Sequence, residues 1–468
     1  ISGVYNNSIN SSDSVEFKFV GCVSLFGIAI CDTFTTSKLF HFYGGQNPPS
    51  PPPAGQIRYI DEVFDSVKVT RDVQYATNMS VVLSAVGLGP TLPTGAHPLA
   101  PSLAFDFYEP NGDSLTERPL LVYLHTGTFA PIFLNNNPTG SRNDYATVKM
   151  CERFAKRGYA VANVEYRLGW NGGAGGSLSA NSISWTKAIY RAIQDTKAAV
   201  RYFYRDVKDS SNTFRIDTNK IALIGQGSGG WVALGYASIS DTSDIRLPKF
   251  LSPQGDMLFD LDSIGDWDGY GGHPSQNMEN NAGYSSEIQM VCSMGGGMGA
   301  LDWLSQGEVP IAAVHCRTDN VAIYTTGDIN VTTAQGLIPI TTDISGSYDV
   351  ISKANMLGNN DSISGISDAY TTAAQNASNS LVGTLDKGLT VIGSPVENLF
   401  PFVTVNTNES APWEFWDSAT TVNGAAALGK DGAAILANAA IGNPDMSIQK
   451  ATAYMDSTLG FFCPRLVN

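Results

Sequence analysis

Apolar and polar positions alternate along this chain in two rhythms, and the switches between them predict the architecture. Short runs that are apolar on both faces read as buried strands: Pro119–His125 (PLLVYLH), Tyr159–Tyr166 (YAVANVEY), Ile221–Ile224, Ile288–Ser293 and Val309–His315. Leu103–Tyr108 is a further short strand. Between the strands the spacing becomes helical. Asp144–Arg157 reads as a helix stopped by Gly158. A long helix from about Ser182 to Asp206 carries the stripe Ile189, Ala192, Ile193, Thr196, Ala199, Val200 and Phe203. Another helix starts at Trp231, and Met446–Phe462 forms the closing one. Strands alternating with helices imply a mostly parallel central sheet with helices on both faces. The stretches 240–287 and 320–440 read as loop-rich insertions, and no internal repeat is present.

Residues 1–46 follow a different pattern. They are rich in Ser and Asn, then turn apolar with partial alternation at Val15, Phe17 and Phe19, and Cys22 and Cys31 are close enough to staple a hairpin. Residues 47–54 (NPPSPPPA) form a stiff, extended linker. The expected organisation is therefore an N-terminal arm at 1–46, a linker at 47–54 and a main domain at 55–468. Such an arm is expected either to fold back on its own domain or to dock on another copy of the chain, adding a strand to an open sheet edge. Repeated head to tail, the second arrangement builds a filament or lattice.

Composition narrows the partners. Hydrophobic residues make up 43% of the 468, enough for a sizeable core, while only 15% are charged. With 43 Asp and Glu against 28 Lys and Arg the net charge is −15, which argues against nucleic acid and anionic membrane surfaces. The most apolar run, Phe19 to Cys31, is about 13 residues long and too short to span a bilayer. No metal or other cofactor is implied: the cysteines show no CxxC or His-rich spacing. Asp256, Asp260, Asp262, Asp266 and Asp268 cluster without the EF-hand pattern and read as a solvated loop. Trp413, Phe415 and Trp416 read as core rather than a carbohydrate platform, although glycans stay a candidate ligand. The chain begins at Ile1 rather than Met, which suggests that a signal peptide was removed or the numbering trimmed, and sequons occur, for example at Asn78 and Asn330, although such triplets are frequent by chance in a chain rich in Ser, Thr and Asn. The expected location is outside the cell or on its surface.

Four phrases carry a family resemblance: CERFAKRGYAVANVEYRLGW (151–170), IALIGQGSGGWVALGYAS (221–238), VPIAAVHCRTD (309–319) and KATAYMDSTLGFFCPR (450–465). Over roughly residues 60–468 the chain resembles the α/β-hydrolase superfamily, and within it the secreted esterase- or lipase-like proteins of Bacteroidota. That resemblance implies a nucleophile on a sharp G-x-S-x-G turn, followed in the chain by an acid and then a histidine. The turn here is Gly225-Gln-Gly-Ser-Gly-Gly230. With Ser228 at the apex the flanks are Gln226 and Gly230; with Gly227 at the apex they are Gly225 and Gly229, and both fit. Gly227 is therefore placed at the nucleophile position. Asp319, in His315-Cys-Arg-Thr-Asp319, matches the acid, although an Asp at a strand end also caps turns. The five histidines are His41, His97, His125, His273 and His315, so none follows Asp319, and the base expected around Gly393–Phe402 is missing. His125, in the segment corresponding to the oxyanion loop, reads as structural. The resemblance also implies two disulfides, Cys151–Cys463 and Cys292–Cys316, beside Cys22–Cys31, and with them an oxidising compartment.

These readings lead to the expectation of a catalytically inactive extracellular protein with no working catalytic residues and a structural, assembly or surface-adhesion role. Two alternatives stand beside it: an active secreted carboxylesterase using Ser228, and a carbohydrate- or polymer-binding pseudoenzyme.

Overall fold

The computed structural model describes residues 15–25, 28–38, 55–80, 100–170, 178–252, 254–333, 336–387 and 390–468; side chains are not described for 15–38, 178–181 and 331–339. The chain divides into a small unit, Ile1–Pro51, and a large one, Pro52–Asn468. In the small unit β1 (Val15–Leu25) and β2 (Ile28–Lys38) form an antiparallel hairpin whose register sets Cys22 opposite Cys31. The proline-rich linker lies outside the described residues, as do His41 and His97.

The large unit is built on eight strands. In chain order they are β3 (Val67–Thr77), β4 (Ser102–Pro110), β5 (Arg118–Leu124), β6 (Ala160–Val164), β7 (Ile216–Gln226), β8 (Met290–Met294), β10 (Ile311–Cys316) and β15 (Leu399–Phe402), with β9 (Gly297–Met298) between β8 and β10. Spatial order is β15-β10-β8-β7-β5-β6-β4-β3, parallel from β15 to β6, with β4 antiparallel to both neighbours. Every residue of β5, β6, β8 and β10 is buried, which is why these strands read as continuous apolar runs. Their alternating side chains feed two cores. Leu120, Val122 and Leu124 point into the core shared with helices α2 (Leu178–Asp209) and α3 (Ser228–Ser238). Leu121 and Tyr123 point into the opposite core, shared with α1 (Tyr145–Lys156) and α9 (Ile448–Leu466). This strand order, with helices on both faces, is that of an α/β-hydrolase fold.

Two stretches depart from the expected pattern. The segment 240–287 is mostly loop, with the short helix α4 (Leu261–Ile264). The segment 320–440 is not a loop-rich insertion. It holds the hairpin β11 (Gly327–Thr333) and β12 (Gly336–Gly346), helices α5 (Ser347–Met356) and α6 (Ala369–Leu381), the small pair β13 (Leu385–Asp386) and β14 (Thr390–Val391), the edge strand β15, and helices α7 (Ser418–Ala427) and α8 (Gly432–Gly442). Its helices are rich in Ala, Asn, Ser and Thr, so no strong apolar stripe marks them; Asp368, Asp417 and Asp431 start three of them by accepting from first-turn N–H groups. The acidic loop residues also have structural partners: Asp266 accepts from the N–H groups of Asp268 and Tyr270, and Asp268 pairs with Lys197 at 2.6 Å. Among the described residues no cluster of three metal-ligating side chains occurs and no helix is long and apolar enough to cross a membrane.

Two expected disulfides are corrected. Cys151, Cys292, Cys316 and Cys463 are buried free thiols. On neighbouring strands Cys292 lies opposite Ala312, four residues before Cys316; at about 3.3 Å per residue that is roughly 13 Å along the strand, beyond the reach of a bond. Cys463 lies close to Cys292 and Tyr159, whereas Cys151 lies near Asp106, so the two helices present their thiols to different parts of the sheet. The Asn78 sequon is corrected too. Its side chain is 3% exposed and bonded to Asn277 and Met278, so it offers no glycan attachment point in the folded chain.

Candidate active site

Strand β7 runs into a sharp turn, and α3 begins at once with Ser228 rather than at Trp231. The apex of that turn is Gly227, at φ 54° and ψ −117°, a conformation costly for any residue with a side chain. The flanking glycines are there for space. A Cβ at Gly225 would stand 2.3 Å from the Gly229 carbonyl oxygen, and one at Gly229 would stand 2.2 Å from that of Leu124. Backbone is packed against backbone on both sides, which fixes the register of the turn.

The turn opens into a cavity of about 240 Å³ at the C-terminal ends of the parallel strands. Three loops meet there: 125–130 after β5, 317–323 after β10, and 403–417 after β15. The last of these, not the stretch 393–402, follows the final strand. Among the described residues no histidine lines the cavity. His125 is fully buried and stacked on Tyr166 at 4.5 Å; its Nδ1–H donates to the Thr126 carbonyl, leaving Nε2 without a partner among the described residues. His315 accepts from Ser347 Oγ at Nδ1 and donates from Nε2 to the Ala322 carbonyl, both at 2.7 Å, and burial pushes its pKa down to about 4. It is a neutral brace for the loop that carries Asp319. His273 lies in the 240–287 segment, bonded to Ser275.

The hydroxyls differ in their freedom. Ser228 Oγ accepts from the Thr128 N–H at 3.2 Å and lies 3.4 Å from Tyr166 Oη, whose own proton goes to the His125 carbonyl at 2.6 Å. Thr126, directly after His125, lines the cavity; a Cβ at Gly227 would stand 2.2 Å from its Oγ1. The loop it begins is strained, with Gly127, Thr128 and Phe129 all at positive φ.

Two carboxyls complete the wall. Asp319 accepts from the N–H groups of Val321 and Ala322, yet burial outweighs them and raises its pKa to about 7. Glu414 is pushed to about 8 by burial and by the nearby Asp144, against hydrogen bonds from Thr139 Oγ1 and Gln226 Nε2. Glu414 therefore carries a proton at neutral pH, and Asp319 exchanges one. Thr126, Gln226 and Glu414 are absent from the site read in the sequence: the first two adjoin residues that do carry a signal, and Glu414 sits inside the aromatic stretch taken as core. Of that stretch, Trp413 and Trp416 line the cavity while being only 1% and 8% exposed.

Strand order and turn together define the class: the chain has the α/β-hydrolase fold. Residues 105–321, just under half of the chain, match the BD-FAE family model. No curated protein matches the chain. Solved structures that resemble it include esterase 2 of the planctomycete Thermogutta terrifontis in its native form, 16% identical, covering 48% of this chain and 69% of that one at a TM-score of 0.29. The same esterase phosphorylated by paraoxon is 16% identical, with 55% and 73% covered and a TM-score of 0.31. Its form phosphoramylated by tabun is 15% identical, with 56% and 75% covered and a TM-score of 0.32.

The BD-FAE match corrects the functional expectation drawn from the sequence. It points to an active hydrolase, so neither the expected inactivity nor the expected structural, assembly or adhesion role stands. That expectation rests on glycine at position 227 and on the absence of a histidine after Asp319, and it leaves out the carboxyls that burial holds at pKa values of about 7 and 8.

Proposed function

We propose that the chain hydrolyses carboxylic esters in this cavity without an imidazole base, a buried carboxyl taking the base's place. One observation carries the reading: the strained turn, the N-terminus of α3 and the Asp319 carboxyl all converge on a single cavity at the ends of the parallel strands. First-turn N–H groups of a helix lack intrahelical partners, so the N–H of Ser228 is free to stabilise the negative charge that develops on an ester carbonyl. Asp319, with a pKa of about 7, has the affinity a general base needs at neutral pH. Kinship with secreted Bacteroidota esterases, and export from the cell, belong to the same proposal. They are supported by the phrases at 151–170 and 221–238 and by the facing positions of Cys22 and Cys31 in the N-terminal hairpin.

The test is hydrolysis of p-nitrophenyl acetate and butyrate by purified protein. Saturable turnover that Asp319→Asn removes is the expected result. Turnover no faster than buffer across activated esters of several chain lengths would overturn the proposal.

A further inference from the structure

We infer that the hydroxyl of Thr126 is the nucleophile of this hydrolysis, standing in the space into which a side chain at position 227 would project. The inference rests on the reading of the cavity as an ester-hydrolysing site.

The first support is position. A serine hydroxyl at the apex would begin from a Cβ on residue 227, and Thr126 Oγ1 lies 2.2 Å from that point, with the Thr126 Cβ 3.0 Å away. The glycine at the apex and the hydroxyl beside it are complementary: one vacates a volume that the other occupies. The second support is freedom. Among the described residues Thr126 Oγ1 has no hydrogen-bond partner, and the residue lines the cavity half-buried. Ser228 Oγ, the other candidate, is held by the Thr128 N–H and adjoins Tyr166 Oη. The third is rigidity. The Thr126 carbonyl is held at 2.5 Å by His125 Nδ1, and the ring of His125 is stacked on Tyr166, so the backbone that carries the hydroxyl is fixed.

The chemistry balances without a further reagent. Thr126 Oγ1 adds to the ester carbonyl carbon as its proton passes, through solvent, to the Asp319 carboxylate, which lines the same cavity. The oxyanion that forms faces the N–H of Ser228. Its collapse breaks the bond to the alkoxy oxygen, which leaves as an alcohol with the proton from Asp319 and leaves an acyl ester on Thr126. Water then adds to that ester while Asp319 takes its proton. Collapse releases the carboxylic acid and returns the proton to Thr126 Oγ1.

The experiment maps the covalent adduct on the wild-type protein after acid quench from p-nitrophenyl acetate, and separately after treatment with a fluorophosphonate. It also measures kcat for Thr126→Val and Thr126→Ser. The expected results are a label on the peptide containing Thr126, a loss of roughly a thousandfold or more in kcat for the valine variant, and activity within about tenfold of wild type for the serine variant, which keeps the hydroxyl. A label on Ser228, or full turnover by Thr126→Val, overturns the assignment to Thr126 and leaves the ester-hydrolase reading standing. Absence of turnover in the wild type overturns both.

Discussion

Replacing Gly227 by alanine tests the geometry of the turn without any assumption about substrate. Two costs follow. At φ 54° and ψ −117° the new Cβ is strained against its own backbone, about 1–3 kcal/mol for a position of this kind. The same Cβ arrives 2.2 Å from Thr126 Oγ1, and forcing an extra carbon into a filled site costs typically about 1–3 kcal/mol more. The sum, about 2–6 kcal/mol, is a large part of the 5–15 kcal/mol by which domains are usually stable. Urea unfolding reads it as a lowered midpoint at unchanged slope. Thr126→Ala removes Oγ1 and leaves the backbone strain in place, so Gly227→Ala should cost less in that background, with a coupling of about 0.5–3 kcal/mol. An alanine variant as stable as wild type, or one with the same cost in both backgrounds, would refute the claim that the Thr126 hydroxyl fills this space.

Three further outcomes follow from the buried groups. The kcat/KM of ester hydrolysis should rise with pH through about 7, as Asp319 gives up its proton; a profile flat from pH 5 to 9 argues against Asp319 as the base. Glu414 has a folded pKa of about 8, raised from its ordinary 4.5, so its contribution to stability is complete below about pH 4.5 and is lost as pH rises to 8. Glu414→Gln keeps a neutral side chain that can still bond Gln226 and Thr139, and it should match wild type near pH 4.5 but be the more stable of the two at pH 9; parallel stability curves would exclude this. Denatured, unreduced protein should titrate at least four thiols with Ellman's reagent, while the native protein hides Cys151, Cys292, Cys316 and Cys463; fewer than four thiols in the denatured state would restore a disulfide in the main domain.

The parallel core was legible because burial on both faces leaves a strand no choice of residue. Pro119–His125 could only be an interior strand, and β5 is buried throughout. The edges were harder to read. β3, with its bulged pairing to β4, mixes exposed and buried positions along VKVTRDVQYAT and shows neither rhythm cleanly. Helices α6 to α8 are held by aspartate caps and small residues rather than by an apolar stripe, so periodicity passed over them and the stretch looked like loop. The cysteines failed for a different reason. The pair Cys292–Cys316, implied by the resemblance, does fall on neighbouring strands, but register is a matter of single residues, and a shift of four positions separates the two.

The site shows the limit of reading a missing residue. That no histidine follows Asp319 is plain from the sequence, because an absence needs no coordinates. What fills the place of a missing part is a property of space, and sequence spacing holds no record of it. Thr126 and Gly227 are 101 residues apart and come within touching distance only because β5 and β7 are parallel neighbours in which Leu124 and Gly225, at or next to the C-terminal ends, lie in register. The raised affinities of Asp319 and Glu414 are likewise effects of burial beneath loops that fold in from three separate parts of the chain. An incomplete motif therefore establishes which side chain is gone. Whether its chemistry has gone with it depends on the hydroxyls and carboxyls that the fold brings into the same cavity, and here Thr126, Asp319 and Glu414 all line it.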